Sequence, residues 1–256
     1  GPVKIFSDGS LGSMTAQMLD PYEGHPNNKG ISTIPQDELE EAIRKASEAG
    51  IPSAIHAIGD AANRRVLDAF EKAGSPNGLL HRIEHVQHLH PDDIPRFGKL
   101  GVVASMQPIH ATSDMQPADR LLGERARYGY AWRSLLDTGA LLAFGSDAPV
   151  ETPNPFAGIH AAVTRQDEND LPEGGWYPEE RLTVEEAVRA YTEGAARSAP
   201  YLPGVTGTLN IGAVADFLVL EQDIFSVEPG EIKGVKPLAT MIGGDAIYDP
   251  DGVLAR

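Results

Sequence analysis

The sequence contains no cysteine in 256 residues. That excludes a disulfide framework, a thiolate metal site and a cysteine nucleophile. Any metal must therefore be held by histidine, carboxylate or a modified lysine. Basic charge is also scarce: 21 Lys and Arg stand against 37 Asp and Glu, a formal net charge of -16. A nucleic-acid binder carries a basic stripe, and this balance would repel phosphate backbones instead. The plainer meaning of the acidic charge is solubility. No apolar run is long enough to cross a bilayer, so no membrane partner is expected. No signal-like segment opens the chain and the expected compartment is the cytoplasm, although Gly1 is not a natural start. Internal repeats and low-complexity segments are missing too. What remains is ordinary for a globular protein, 41% hydrophobic and 23% charged, with enough chain to bury a substantial core without staples.

Apolar stretches and amphipathic stretches alternate along the first two-thirds. Val3 to Phe6, Ser53 to Ile58, Leu79 to Glu84, Val102 to Met106 and Leu141 to Phe144 have the character of strands. Helices are predicted between them: Asp37 to Ala49, with Leu39, Ile43 and Ala46 on one face; a segment capped by Asp60 and carrying Ala62, Val66, Phe70 and Ala73; and Pro91 to Leu100. Gly50, Gly74 and Gly101 stop these helices. A longer loop, QPIHATSDMQP, follows the fourth strand and leads to a helix around Trp132 and Leu136. Pro155 to Val163 reads as a further helix. Thr183 opens another, with Glu186 three residues on as a capping box. Alternation of this kind implies parallel strands joined by right-handed crossovers. Five strands are counted, where a closed barrel needs eight.

From about Val205 the helical period is lost. Asp216 to Leu220, Ala239 to Ile242 and Ala246 to Tyr248 read as strands, the last two joined by a Gly243-Gly244 turn. The expected organisation is a partial α/β barrel over residues 1–203 and strands of a small β-sandwich over residues 204–256.

Four strand ends carry a possible metal donor: VKIFSDG, AIHAIGD, RIEHVQ and FGSDAPV. In parallel α/β folds, functional groups gather where strands end and loops begin. Taken singly, each residue has a plainer role. A strand-end His56 or His85 can be a hydrogen-bonded structural residue, Asp147 can cap the turn before Pro149, and Lys4 can be a solvated edge residue. Four such groups at successive strand ends are hard to obtain by chance, and imidazole with carboxylate suits zinc and similar divalent ions. His25, His81, His88, His90 and His160 lie off this pattern.

The segments GPVKIFSDGSLGS, AIHAIGDAANRRVLDAFE, HRIEHVQHLHPDDIPRF, GVVASMQPIHATSDM, YAWRSLLDTGALLAFGSDAPVE and LTVEEAVRAYT resemble the amidohydrolase superfamily. More narrowly they are similar to its YtcJ-like branch, amidohydrolase family 3, which includes N-substituted formamide deformylase. The tail phrase GTLNIGAVADFLVL resembles the C-terminal β-sandwich strands of the same family. The resemblance implies a TIM-barrel metal-dependent hydrolase of which this sequence covers strands four to eight. Lys4 then matches a strand-four lysine that is carboxylated in many members and bridges two metals. His56 and His85 match the ligands of strands five and six, and Asp147 the strand-eight aspartate that binds metal and shuttles a proton.

The family's His-x-His pair on strand one has no counterpart here. The resemblance thus implies a C-terminal portion, with one or two zinc ions in the intact enzyme and one or none in this chain. Pairing with an N-terminal portion, or self-association, is expected. The implied chemistry is hydrolysis of amide-type, non-peptide carbon–nitrogen bonds in a small molecule. Metal acidifies water to a pKa of about 7 and polarises the carbonyl, and Asp147 transfers the proton. Asp8, Ser10, Gln107, His110 and Trp132 fall on the loops that shape specificity. Their plainer readings are turn formation for Asp8 and Ser10, loop packing for Gln107 and His110, and core packing for Trp132. Two other readings stay open: a non-catalytic remnant that binds or regulates, and a different metal-dependent barrel enzyme.

Overall fold

Short β-branched and apolar runs, each followed by a helix, leave the chain one economical pairing, with every strand parallel to the last. The computed structural model describes residues 1–74, 78–199 and 205–254. In it β1 (Val3–Phe6), β2 (Ser53–Ala57), β3 (Arg82–His85), β4 (Val103–Met106) and β5 (Leu142–Phe144) form one parallel sheet in sequence order. The register sets Phe6, His56, Glu84 and Ser105 side by side.

Between the strands run α1 (Gln36–Glu48), α2 (Asp60–Ala73), α3 (Ile94–Leu100), α4 (Pro108–Leu122) and α5 (Trp132–Asp137). After β5 come α6 (Pro155–Thr164), α7 (Val184–Arg189) and α8 (Ala195–Ser198). Successive residues of a strand face opposite sides of the sheet. One side, with Ile55, Ile83, Ala104, Leu142 and Phe144, is buried in the core that includes Leu39, Ile43, Val66 and Phe70 of the helices. The opposite side carries Lys4, Phe6, His56, Arg82, Glu84 and Ser105. This is a partial barrel, with the polar, open side in the place of the barrel interior.

Most predicted elements stand within a few residues of their sequence limits. The third strand begins at Arg82, not Leu79, and ends on His85. One element is corrected: the segment expected as a loop, QPIHATSDMQP, is the first part of α4. Pro108 starts the helix at a position that needs no N–H. Pro117 lies inside the helix and withholds a backbone donor there. Burial of Ala111, Met115, Ala118 and Leu122 along one side outweighs that loss. Thr183 and Glu186 form the expected capping box at the start of α7.

Gly59 answers to a close approach: a Cβ there would lie 2.0 Å from the Gln17 carbonyl oxygen. β6 (Phe217–Leu220), β7 (Pro237–Ile242) and β8 (Asp245–Tyr248) make a separate antiparallel sheet. Its β7–β8 turn needs positive φ at both central residues, which Gly243 and Gly244 adopt at 60° and 88°. The expected boundary at 203/204 lies outside the described residues. Among the described residues no helix is long and apolar enough to cross a membrane.

Candidate metal centre

The end of β2 is built around Asp8. Its carboxylate accepts from the backbone amides of Ile58 (3.1 Å), Gly59 (2.8 Å) and Gln17 (2.9 Å). These bonds tie the loop after β1 to the loop after β2. They also bring the Gly9 carbonyl to 3.0 Å from His56 Nε2, with Asp8 Oδ1 at 3.4 Å. A carbonyl can only accept, so Nε2 carries the ring proton and Nδ1 keeps a lone pair. That Nδ1 is buried and has no hydrogen-bond partner.

His85 ends β3 on a sharp turn, with φ of 79° at His85 and 49° at Val86. Two successive non-glycine residues in this region are uncommon and occur where surrounding contacts enforce them. The His85 ring meets the His56 ring edge-on, with centroids 4.6 Å apart. Its Nδ1 is 2.9 Å from Gln107 Oε1. Burial, reinforced by His56, pushes the His85 pKa down to about 4. The ring is therefore neutral near pH 7, the form that ligates metal.

Lys4 lies one pleat below His56 on the same side of the sheet, within β1 and not at its end as the sequence suggested. Its side chain rises so that Nζ is 4.9 Å from the Phe6 ring centre. Phe6 in turn is 5.0 Å from the His56 ring. Burial lowers the Lys4 pKa against the opposing pull of the Glu84 and Asp147 carboxylates. Asp147 stands exposed just beyond β5, with φ of 56°. The structure thus puts the imidazoles of His56 and His85 in contact at one end of the sheet, with Lys4 one pleat back and Asp147 beyond the outer strand β5.

The donor set fits a divalent ion in part. His56 Nδ1 and His85 Nε2 are nitrogen donors not committed to protein hydrogen bonds, a soft-to-borderline pair suited to zinc. Among the described residues, however, no three His, Asp or Glu side chains stand close enough together to share an ion.

The substrate-side candidates divide. Ser10 is exposed, its hydroxyl 2.8 Å from that of Ser13. His110 is 8% exposed, its ring stacked 6.0 Å from His85, and its buried Nε2 has no partner. Two candidates are corrected. The Asp8 side chain is fully covered and committed to backbone amides, so it offers a substrate nothing. Trp132 is 0% exposed in the core, against Tyr130, Phe144 and Arg165, and not at the rim. Gln107 also turns inward, toward His85.

Three features escaped the sequence reading. Phe6, 57% exposed, lies between Lys4 and His56; the two-residue strand period from Lys4 could have found it. Glu84 stands beside His56 in register and pairs with Arg82 at 2.6 Å. The Tyr130 hydroxyl donates to Asp114 at 2.6 Å, one helical turn beyond His110; nothing local in the sequence signals this contact.

The chain is 37% identical over 250 residues to the putative amidohydrolase YtcJ of Bacillus subtilis, covering 97% of this chain and 47% of that protein. It is 28% identical over 256 residues to an N-substituted formamide deformylase of Arthrobacter pascens, covering 98% and 46%. An uncharacterized metal-dependent hydrolase from Pyrococcus horikoshii superposes with a TM-score of 0.79 at 34% identity, covering 89% of this chain and 46% of that one. The chain therefore spans about half the length of the curated relatives it matches. Residues 1–248 match the model of the amidohydrolase family. With that match running through the sheet, the paired histidines and the β appendage, the chain belongs to the amidohydrolase family.

Proposed function

We propose that the protein is a metal-dependent hydrolase of amide-type, non-peptide carbon–nitrogen bonds, with Lys4, His56, His85 and Asp147 as its metal-binding set. The observation that carries this reading is the His56–His85 pair, two imidazoles in contact, one with a buried Nδ1 that no protein group satisfies. Nitrogen donors of this kind favour zinc among the common divalent ions. The bond class comes from the relative named as a deformylase of N-substituted formamides.

A divalent ion bound here supplies Lewis acidity toward water and the substrate carbonyl. Asp147, exposed beyond β5, takes the proton of the attacking water at its carboxylate and delivers it to the departing nitrogen. Lys4, its pKa lowered by burial, is the residue available for carboxylation. His110 and Ser10 contact the substrate. β1 and β5 are the outer strands of the sheet, and unpaired edges recruit other strands. Pairing there with an N-terminal portion, or with a second copy, completes the site.

The test is hydrolysis of N-substituted formamides, acyl-amines and matched esters. It uses this chain alone and supplied with an N-terminal portion of the length its relatives carry. The expected result is amide turnover only in the reconstituted protein, abolished by Asp147→Asn and by chelation. Turnover of the esters alone, or amide turnover indifferent to Asp147→Asn, would sink the proposal.

A further inference from the structure

Metal binding by His85 depends on where its single ring proton sits. A neutral imidazole has one N–H and one lone pair, and only the lone-pair nitrogen can ligate. For His56 the nearest group is the backbone carbonyl of Gly9, 3.0 Å from Nε2, with the Asp8 carboxylate farther off at 3.4 Å. For His85 the group behind the ring is a side chain, Gln107, with Oε1 2.9 Å from Nδ1. An oxygen there can only accept, so Nδ1 is protonated and Nε2 carries the lone pair. A glutamine turned the other way would present its amide NH₂ to Nδ1. It would drive the proton onto Nε2 and close that nitrogen to an ion.

The backbone restricts Gln107 more than an ordinary loop residue. It precedes Pro108, which confines it to extended conformations, and its φ and ψ are -124° and 94°. It also stands at the N-cap of α4, where its carbonyl accepts from the His110 amide at 3.0 Å. The residue is 7% exposed, so water does not compete freely for its oxygen. At the other end of the contact, the left-handed backbone of His85 fixes the root of the ring.

We propose that Gln107 is a positioning residue: its side-chain oxygen holds His85 in the tautomer whose Nε2 lone pair is available to a divalent ion. This rests on the metal-site reading of His85 given above. The role differs from substrate contact, because Gln107 acts through His85.

Two readouts test it on the full chain, neither needing turnover. Nitrogen-15 NMR of the histidine rings reports which His85 nitrogen is protonated, with or without metal. Zinc titration reports affinity. In the wild type and in Gln107→Glu, which keeps the acceptor, Nδ1 should be the protonated nitrogen. In Gln107→Leu the proton should distribute over both nitrogens. Zinc affinity should fall about 10- to 100-fold in Gln107→Leu, the usual effect of losing such a supporting bond, and be retained or tightened in Gln107→Glu. Thermal melts of both variants control for folding. Protonation at Nε2 in the wild type, or unchanged zinc affinity in a folded Gln107→Leu variant, would overturn the proposal. If the wild type takes up no zinc even when supplied with the N-terminal portion, or takes it up equally after His85→Ala, the metal reading fails instead. The NMR readout then still decides whether Gln107 sets the tautomer.

Discussion

Arg165 is the most informative single perturbation outside the site. It caps α6 with a left-handed φ of 59° and is 2% exposed. Its guanidinium lies between two indoles, 4.5 Å from the Trp132 ring centre and 4.9 Å from that of Trp176. It donates to the carbonyls of Trp176 (2.8 Å), Tyr130 (2.7 Å) and Gly129 (3.3 Å). In Arg165→Met the Tyr130 carbonyl keeps the Trp132 amide at 2.8 Å. The Gly129 and Trp176 carbonyls lose the donor shown for each, at about 1–3 kcal/mol apiece. The two cation–π contacts are worth about 0.5–2 kcal/mol each. Against this stands relief from burying a charge. Burial pushes the Arg165 pKa down to about 10, which corresponds to about 3 kcal/mol returned on its removal. The middle of these ranges leaves a net loss of about 3 kcal/mol, or a Tm lower by about 6–12 °C for a domain of this size.

Trp132 and Trp176 are the two tryptophans of the chain, so its indole fluorescence arises from the two sides of Arg165. Thermal unfolding followed by circular dichroism should give the Tm shift, and tryptophan emission of the folded variant should change with it. A folded Arg165→Met with unchanged emission and Tm would refute the view that this guanidinium ties Gly129–Trp132 to the segment around Trp176.

Two further outcomes follow from buried polar groups. Burial, with a smaller effect from Arg125, pushes the His88 pKa down to about 3, and neither ring nitrogen has a partner. The unfolded ring therefore binds a proton below about pH 6.5 that the folded ring refuses. The stability involved is fully present above that pH and is lost as pH falls toward 3, by about 2 kcal/mol at pH 5. Urea unfolding at about pH 7.5 and about pH 5 should show a smaller acid loss in His88→Phe; parallel losses in the two proteins would contradict this. Asp8→Asn places an NH₂ against at least one backbone N–H now facing a carboxylate oxygen. It should cost about 2–3 kcal/mol in urea unfolding and broaden the His56 ring resonances. A cost near zero would mean that the two loops are held together by other contacts.

The sequence by itself determined the alternation of strands and helices, the stops at glycine, the capping box of α7 and the Gly243-Gly244 hairpin. Each depends on a local period or on one residue's backbone preference. His56 and His85 were legible for the same reason, since strand-end position follows from the strand pattern. The segment QPIHATSDMQP was read as a loop and is the start of α4, because burial against elements distant in sequence outweighs the cost of Pro117 inside the helix. Trp132 in the core matches its plainer reading as a packing residue and not the substrate-side one, since an aromatic after a loop has no local mark of its depth. The assignment of Asp8 to substrate failed because its acceptor role comes from amides nine, fifty and fifty-one residues away. Only the tertiary structure decided which nitrogen of His56 is free, that Gln107 faces His85 across 22 residues, and that Phe6 stands between Lys4 and His56. Hydrogen-bond direction and ring contact depend on distances between separate strands, and those distances do not exist until the sheet is assembled.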